Sequence, residues 1–108
     1  LKPVPAVGEL ARQLHASGKN ISVASGSDLS LVEPSLVAAG LRGYFDIIIT
    51  PALVERGKPN PDMFLLAAER MGVRAEECLV FEDGQAGIEA ANAAGMASVF
   101  VDSRSLKV

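Results

Sequence analysis

The stretch LVFEDGQAGIEAANAAGMASVFV, Leu79 to Val101, holds one complete unit of the chain's architecture. Leu79 to Phe81 is a short apolar run that reads as a strand, and it breaks at the polar turn Glu82-Asp83-Gly84. Gln85 to Ala94 has the spacing of a helix, Gly95 stands where a helix stops in the left-handed conformation, and Ala97 to Val101 reads as a second strand. Strand, helix, strand in that order predicts a βαβ unit, in which the helix carries the chain back so that the two strands run parallel.

The rest of the chain alternates in the same way. The next unit back is a helix ending at Met71 before Gly72, with Asn60 as its cap. Pro61 takes the first helical position, where a missing N–H costs nothing, and Asp62 adds a favourable charge nearby. Met63, Phe64, Leu66 and Met71 fall at helical spacing and are candidate core residues. Asp46 to Thr50, with three consecutive isoleucines, predicts a strand covered on both faces. Asp28 to Ala39 predicts a helix closed by Gly40. Pro34 inside it removes a backbone bond at a cost of ~3 kcal/mol, so the helix is expected to begin near Glu33 or to kink there. Ile21 to Ser25 reads as a buried strand. Val4 to Ser17 reads as the first helix, with Val7, Leu10, Ala11 and Leu14 on one stripe and Gly18 behind it. Seven or eight alternating elements leave no room for a linker, so residues 1–108 are expected to form one α/β domain around a parallel sheet.

Composition narrows the function. Of 108 residues, 49% are apolar and 21% charged, which is the balance of a folded globular chain and excludes disordered, collagenous and disulfide-scaffold classes. A net charge of -3 gives no electrostatic footprint for nucleic acid or an anionic membrane. No apolar run approaches the ~18 to 20 residues of a membrane span. The lone Cys78 cannot form an internal bridge and no leader opens the sequence, so a cytoplasmic setting is expected. The first residue is Leu1 and not methionine, which is expected of a processed chain or of a portion of something longer.

In open α/β sheets ligands sit beyond the carboxyl ends of the strands, and three polar clusters stand there. In Ser25-Gly26-Ser27 a strand breaks into a glycine turn ahead of a helix, so amides and hydroxyls can converge on an anion; a plain cap and turn is the alternative. In Gly57-Lys58-Pro59-Asn60-Pro61-Asp62 two prolines stiffen the backbone around Lys58. That lysine can then be aimed at a phosphoryl oxygen or a carboxylate, against the alternative of a solvated loop cation. In Glu82-Asp83-Gly84 the strand's alternation fails at the glycine turn, and two hard carboxylates can approach one point, which suits Mg²⁺. The alternative has Asp83 capping the following helix.

Together with their surroundings, ISVASGSD (21–28), GLRGYFDIIIT (40–50), GKPNPDMFLLAAERMGV (57–73) and FEDGQAGIEAANAAGM (81–96), these clusters resemble the haloacid dehalogenase (HAD) superfamily of phosphotransferases. The likeness is greatest to its subgroup of sugar-phosphate phosphatases and β-phosphoglucomutase. The resemblance implies a three-layer α/β/α, Rossmann-like parallel sheet. It implies that Ser25 and the backbone of Gly26 bind the transferring phosphate with Ser27 beside them. Lys58 would stabilise the charge of the phosphoryl group and its attacker, and Glu82 and Asp83 would hold Mg²⁺. The substrate would be a small phosphate monoester such as a sugar phosphate.

One part of that pattern is missing. The family's reaction passes through an aspartyl phosphate made by the first aspartate of a DxDx(T/V) motif. Here the aspartates are Asp28, Asp46, Asp62, Asp83 and Asp102, and none is followed two positions later by another. The resemblance places that motif, its central strand and a substrate-selecting helical cap before Leu1. Without the strand, those ending at Ser25 and Glu82 are expected to face each other across a gap or to present bare edges that invite self-association. The chain alone is expected to be inactive. Two other readings compete. A phosphorylation-receiver domain would place its acidic pair early and its lysine late, the reverse of the order here. A non-catalytic remnant of the same fold would act as a binding module. His15 is expected to be solvent-exposed, and Cys78 to be a small buried apolar residue.

Overall fold

Four helices and four strands alternate strictly in the computed structural model, which describes residues 5–101: α1 (Pro5–Ala16), β1 (Val23–Ala24), α2 (Leu29–Ala38), β2 (Ile48–Ile49), α3 (Asp62–Met71), β3 (Leu79–Glu82), α4 (Gln85–Ala94) and β4 (Ala97–Phe100). Short 3-10 turns at Arg42–Tyr44, Pro51–Leu53 and Ala75–Glu77 lead into or out of strands. The expected start of α1 at Val4 and the side chain of Val7 lie outside what is described.

All four helices stop by one device. Gly18, Gly40, Gly72 and Gly95 have φ between +72° and +77°, a conformation that costs a residue with a Cβ ~1–2 kcal/mol. The residue after each glycine then donates its N–H to a carbonyl five positions back: Lys19 to Leu14, Leu41 to Leu36, Val73 to Ala68 and Met96 to Ala91, at 2.8–3.1 Å. This turns the chain toward the next strand at a fixed angle.

β1 pairs in parallel with β2, Val23 opposite Ile48 and Ala24 opposite Ile49. β3 pairs in parallel with β4, from Leu79 opposite Ala97 to Glu82 opposite Phe100. No ladder joins β1 to β3, so the described residues form two parallel ribbons, with the break where the missing central strand was expected. α3 ties the ribbons together. Its Met63 and Ala67 pack with Ile49 of β2, while the neighbouring Phe64 and Ala68 pack with Ala90, Ala91, Ala94 and Met96 around α4. A third cluster, Ala11, Val32, Leu36, Leu41 and Phe45, joins α1 to α2.

Several expectations shift. α2 begins at Leu29 and runs through Pro34, so the later start near Glu33 does not occur. Pro34 withholds a single N–H while Val32 and Leu36 bury beside it, and that packing offsets the lost bond. Pro61, not Asn60, takes the cap position of α3, and the Asn60 side chain donates to the Gly57 carbonyl instead. Met63 and Phe64 are core, but Leu66 and Met71 are half-buried. β1 is half-buried along its length, as are Ile47 and Ile48, because the ribbons leave edges and faces open. Leu79 is 54% exposed, and with Phe81 and Val99 it forms an uncovered apolar face on the β3–β4 ribbon.

Candidate active site

β1 delivers Ser25 to the break between the ribbons. The Ser25 N–H donates to the Ile49 carbonyl at 2.9 Å, which extends the pairing with β2 by one bond, and the residue is buried. Its Oγ accepts the Ser27 N–H at 3.1 Å. A hydroxyl has one donor and two acceptor sites, so this turn leaves the Ser25 O–H free to donate outward. It also uses the Ser27 amide, so that Gly26, which is exposed, offers the free amide of the cluster.

Lys58 comes from a braced loop. Asn60 donates both its backbone N–H and its Nδ2 to the Gly57 carbonyl, at 3.0 and 3.2 Å. Arg56 pairs with Asp62 at 3.0 Å and so ties the loop to the first turn of α3. From this support the Lys58 side chain crosses the break: Nζ donates to the Ala24 carbonyl at 3.0 Å and to Glu82 Oε2 at 2.8 Å. It also lies 5.0 Å from the centre of the Phe64 ring. The side chains of Lys58 and Glu82 are only 15% and 13% exposed, unlike the Arg12–Glu9 and Arg74–Glu76 pairs on the surface. Ion pairs of the exposed kind contribute little, while a desolvated, hydrogen-bonded one fixes geometry. Lys58 is thus an aimed side chain and not a solvated loop cation. An ammonium has three donors, and two are engaged here.

Glu82 ends β3. Its second oxygen accepts the Asp83 N–H at 3.2 Å, and its carbonyl accepts the Val101 N–H at 2.8 Å. Asp83 is exposed, and its carboxylate makes no hydrogen bond or ion pair among the described residues. It does not cap α4, whose cap position belongs to Gly84. Two hollows of about 470 Å³ and 350 Å³, walled by Leu53, Asp62 and Leu66 and by Asp28, Ile48 and Thr50, include none of Ala24, Lys58 and Glu82.

A divalent cation fits this donor set in part. Among the described residues no three His, Cys, Asp or Glu side chains converge, and both Glu82 oxygens are occupied. Asp83 remains as a hard, solvent-facing oxygen donor, and Mg²⁺ ordinarily uses one or two protein carboxylates and fills its octahedron with water and phosphate.

Two contributors were not legible in the sequence. Phe64 reads as a core residue, and only the folded loop sets its ring beside Lys58. Gly87 is buried on α4, and a Cβ there would overlap Cγ, Cδ and Oε2 of Glu82. The signal for it was a glycine within an otherwise regular helical pattern. His15 is exposed as expected, with its ring edge-on to Tyr44 at 5.0 Å between centres. Cys78 is half-buried; desolvation and, to a lesser degree, the neighbouring Glu77 push its thiol pKa up.

Residues 1–95 match the family model of haloacid dehalogenase-like hydrolases, and the chain belongs to that family. It is 43% identical over 101 residues to fructose-1-phosphate phosphatase YqaB of Escherichia coli, a match covering 94% of this chain and 53% of that enzyme. Among solved structures it superposes on a HAD family hydrolase of Deinococcus radiodurans, crystallised with phosphate and sodium, at a TM-score of 0.83 and 33% identity. That match covers 90% of this chain and 43% of the other. A β-phosphoglucomutase of Clostridium difficile gives a TM-score of 0.76 at 29% identity, again with 90% and 43% covered. The chain therefore spans about half the length of these three relatives. The α/β fold with parallel strands and the placement near β-phosphoglucomutase agree with the sequence reading.

Proposed function

We propose that this chain is the carboxyl-terminal portion of a Mg²⁺-dependent phosphatase or phosphomutase acting on small phosphate monoesters, sugar phosphates among them. It would supply the phosphate-holding and charge-balancing half of the site. The observation that carries this reading is Lys58, whose ammonium joins the carboxyl end of β1 to that of β3 from a loop far away in sequence. Those two ends are where an α/β sheet gathers its ligand.

Phosphoryl transfer asks of the protein mostly positioning and charge stabilisation. The Ser25 hydroxyl and the Gly26 amide donate to equatorial phosphoryl oxygens, with Ser27 holding the Ser25 oxygen in place. The third donor of Lys58 faces the phosphoryl group and the attacking carboxylate, while Glu82 keeps the ammonium pointed. Asp83 would hold Mg²⁺, with Glu82 adjoining. The cation supplies neutralisation of phosphate charge as negative charge develops. The attacking aspartate is not among the five of this chain, so the chain alone turns over no substrate.

The test is hydrolysis of an aryl phosphate with Mg²⁺. The 108-residue chain should show no turnover. The same chain joined to an amino-terminal segment bearing DxDx(T/V) should show Mg²⁺-dependent turnover that Lys58→Met abolishes. Substantial turnover by the chain alone, or a joined enzyme indifferent to Lys58→Met, refutes the proposal.

A further inference from the structure

The geometry points to Gly87 as a positioning residue. Its missing side chain is the space in which the Glu82 carboxylate folds back toward Lys58, so residue 87 governs where the ammonium of the site is held. The inference rests on the Lys58–Glu82 reading above and deepens it.

Gly87 lies inside α4, two residues past the first, where a glycine weakens the helix relative to alanine. Local propensity therefore argues against glycine here. No turn requires it either, since the left-handed φ of α4 falls at Gly95 and not at Gly87. The surroundings supply the reason. Gly87 is buried, and the atoms a Cβ would meet are Cγ, Cδ and Oε2 of Glu82, the last being the oxygen that accepts from Lys58. Glu82 is the terminal residue of β3, with its backbone pinned by the bond from Val101, so the clash cannot be relieved by sliding the strand. It can be relieved by rotating the Glu82 side chain out of its place, which separates it from the ammonium. Lys58 would then keep the Ala24 carbonyl as its remaining partner, and its charge would lose the counterion that fixes its direction.

The experiment uses the full chain in four forms: native, Gly87→Ala, Glu82→Ala and the double variant. In the native background Gly87→Ala should lower the melting temperature, because a side chain is evicted. In the Glu82→Ala background the same substitution should raise it by about 4 °C, the ordinary benefit of alanine in a helix once the obstacle is gone. A merely structural glycine would not reverse sign on loss of Glu82. The second readout is the Nζ and Cε resonances of Lys58 in lysine-labelled protein, assigned by their loss in Lys58→Met. Gly87→Ala should move them toward their positions in Glu82→Gln, and Glu89→Ala, exposed on the same helix, should leave them in place. A higher melting temperature for Gly87→Ala in the native background, or an unmoved Lys58 signal, overturns the inference. Should Gly87→Ala fail to fold, recovery of the fold in the double variant supports it and non-recovery overturns it. Inorganic phosphate titrated into the native chain separates the two readings: silence at Lys58 counts against the phosphate site, whereas the sign reversal concerns Gly87 alone.

Discussion

Lys58→Met removes the one side chain that, among the described residues, hydrogen-bonds to both ribbons, and its cost can be worked from the contacts. The ammonium makes a charge-assisted bond to Glu82 at 2.8 Å and a second bond to the Ala24 carbonyl at 3.0 Å. Bonds to charged groups contribute ~1.5–3 kcal/mol each, and stripping one partner from a fully buried pair costs ~3–5 kcal/mol. Here the two side chains retain 15% and 13% of their exposure, and the Asp83 N–H still accompanies the stranded carboxylate, so the expected loss is about 2–3 kcal/mol. For a domain of this size that lowers the melting temperature by roughly 8–20 °C. Thermal unfolding followed by circular dichroism reads it. In Lys58→Met/Glu82→Leu no charge is left behind, and most of the loss should return. The penalty should also persist in 1 M NaCl, where the Debye length is about 3 Å, since a contact pair with little solvent around it is weakly screened. A Lys58→Met variant within about 0.5 kcal/mol of the native chain, the usual range for exposed positions, would show that the ammonium is solvated and that the site as described does not exist.

Three further outcomes are expected. Ile49→Ala, at a fully buried position, should cost about 2–5 kcal/mol by urea denaturation, whereas Leu79→Ala on the open β3–β4 face should cost well under half as much; equal costs would mean that face is covered. Ser25→Ala should cost about 0.5–1.5 kcal/mol, since the Ser27 N–H loses its acceptor, and should weaken inorganic phosphate binding read by ³¹P line broadening; unchanged phosphate binding would remove Ser25 from the site. Desolvation and Glu77 raise the Cys78 pKa, which favours the neutral thiol in the folded chain. The stabilisation this brings is present below the range of a free thiol and is lost as pH rises through the folded value. Iodoacetamide should therefore alkylate Cys78 more slowly at pH 8 than it does a small thiol, with the pH profile displaced upward, and an undisplaced profile contradicts the burial.

The order of elements was legible because each signal was local. Gly18, Gly40, Gly72 and Gly95 mark helix ends by a backbone conformation that favours glycine, and the apolar runs between them have no other use than strands. Strand ends and caps were less legible. Asn60 and Pro61 both suit the start of α3, and the choice fell to the Asn60 side chain finding the Gly57 carbonyl, a contact made by the folded loop. Pro34 shows the opposite case, where a strong local rule yields to Val32 and Leu36 burying on either side of it. For the site, residue types at strand ends and in the loop behind β2 singled out Ser25, Lys58, Glu82 and Asp83. What they could not convey is the division of labour within the acidic pair: Glu82 turned inward onto Lys58 and Asp83 outward to water, a split decided by the room left at Gly87.

Because no backbone ladder joins the two ribbons among the described residues, coupling between them runs through side chains: the Lys58 bridge, the packing of Ala24 and, above all, the two faces of α3. Met63 and Ala67 belong to one half of the interior while Phe64 and Ala68, one residue on, belong to the other. α3 thus acts as an axle between two wheels. Any event that tilts it, whether thermal or imposed by chemistry at the Lys58 loop that precedes it, is felt by both halves together.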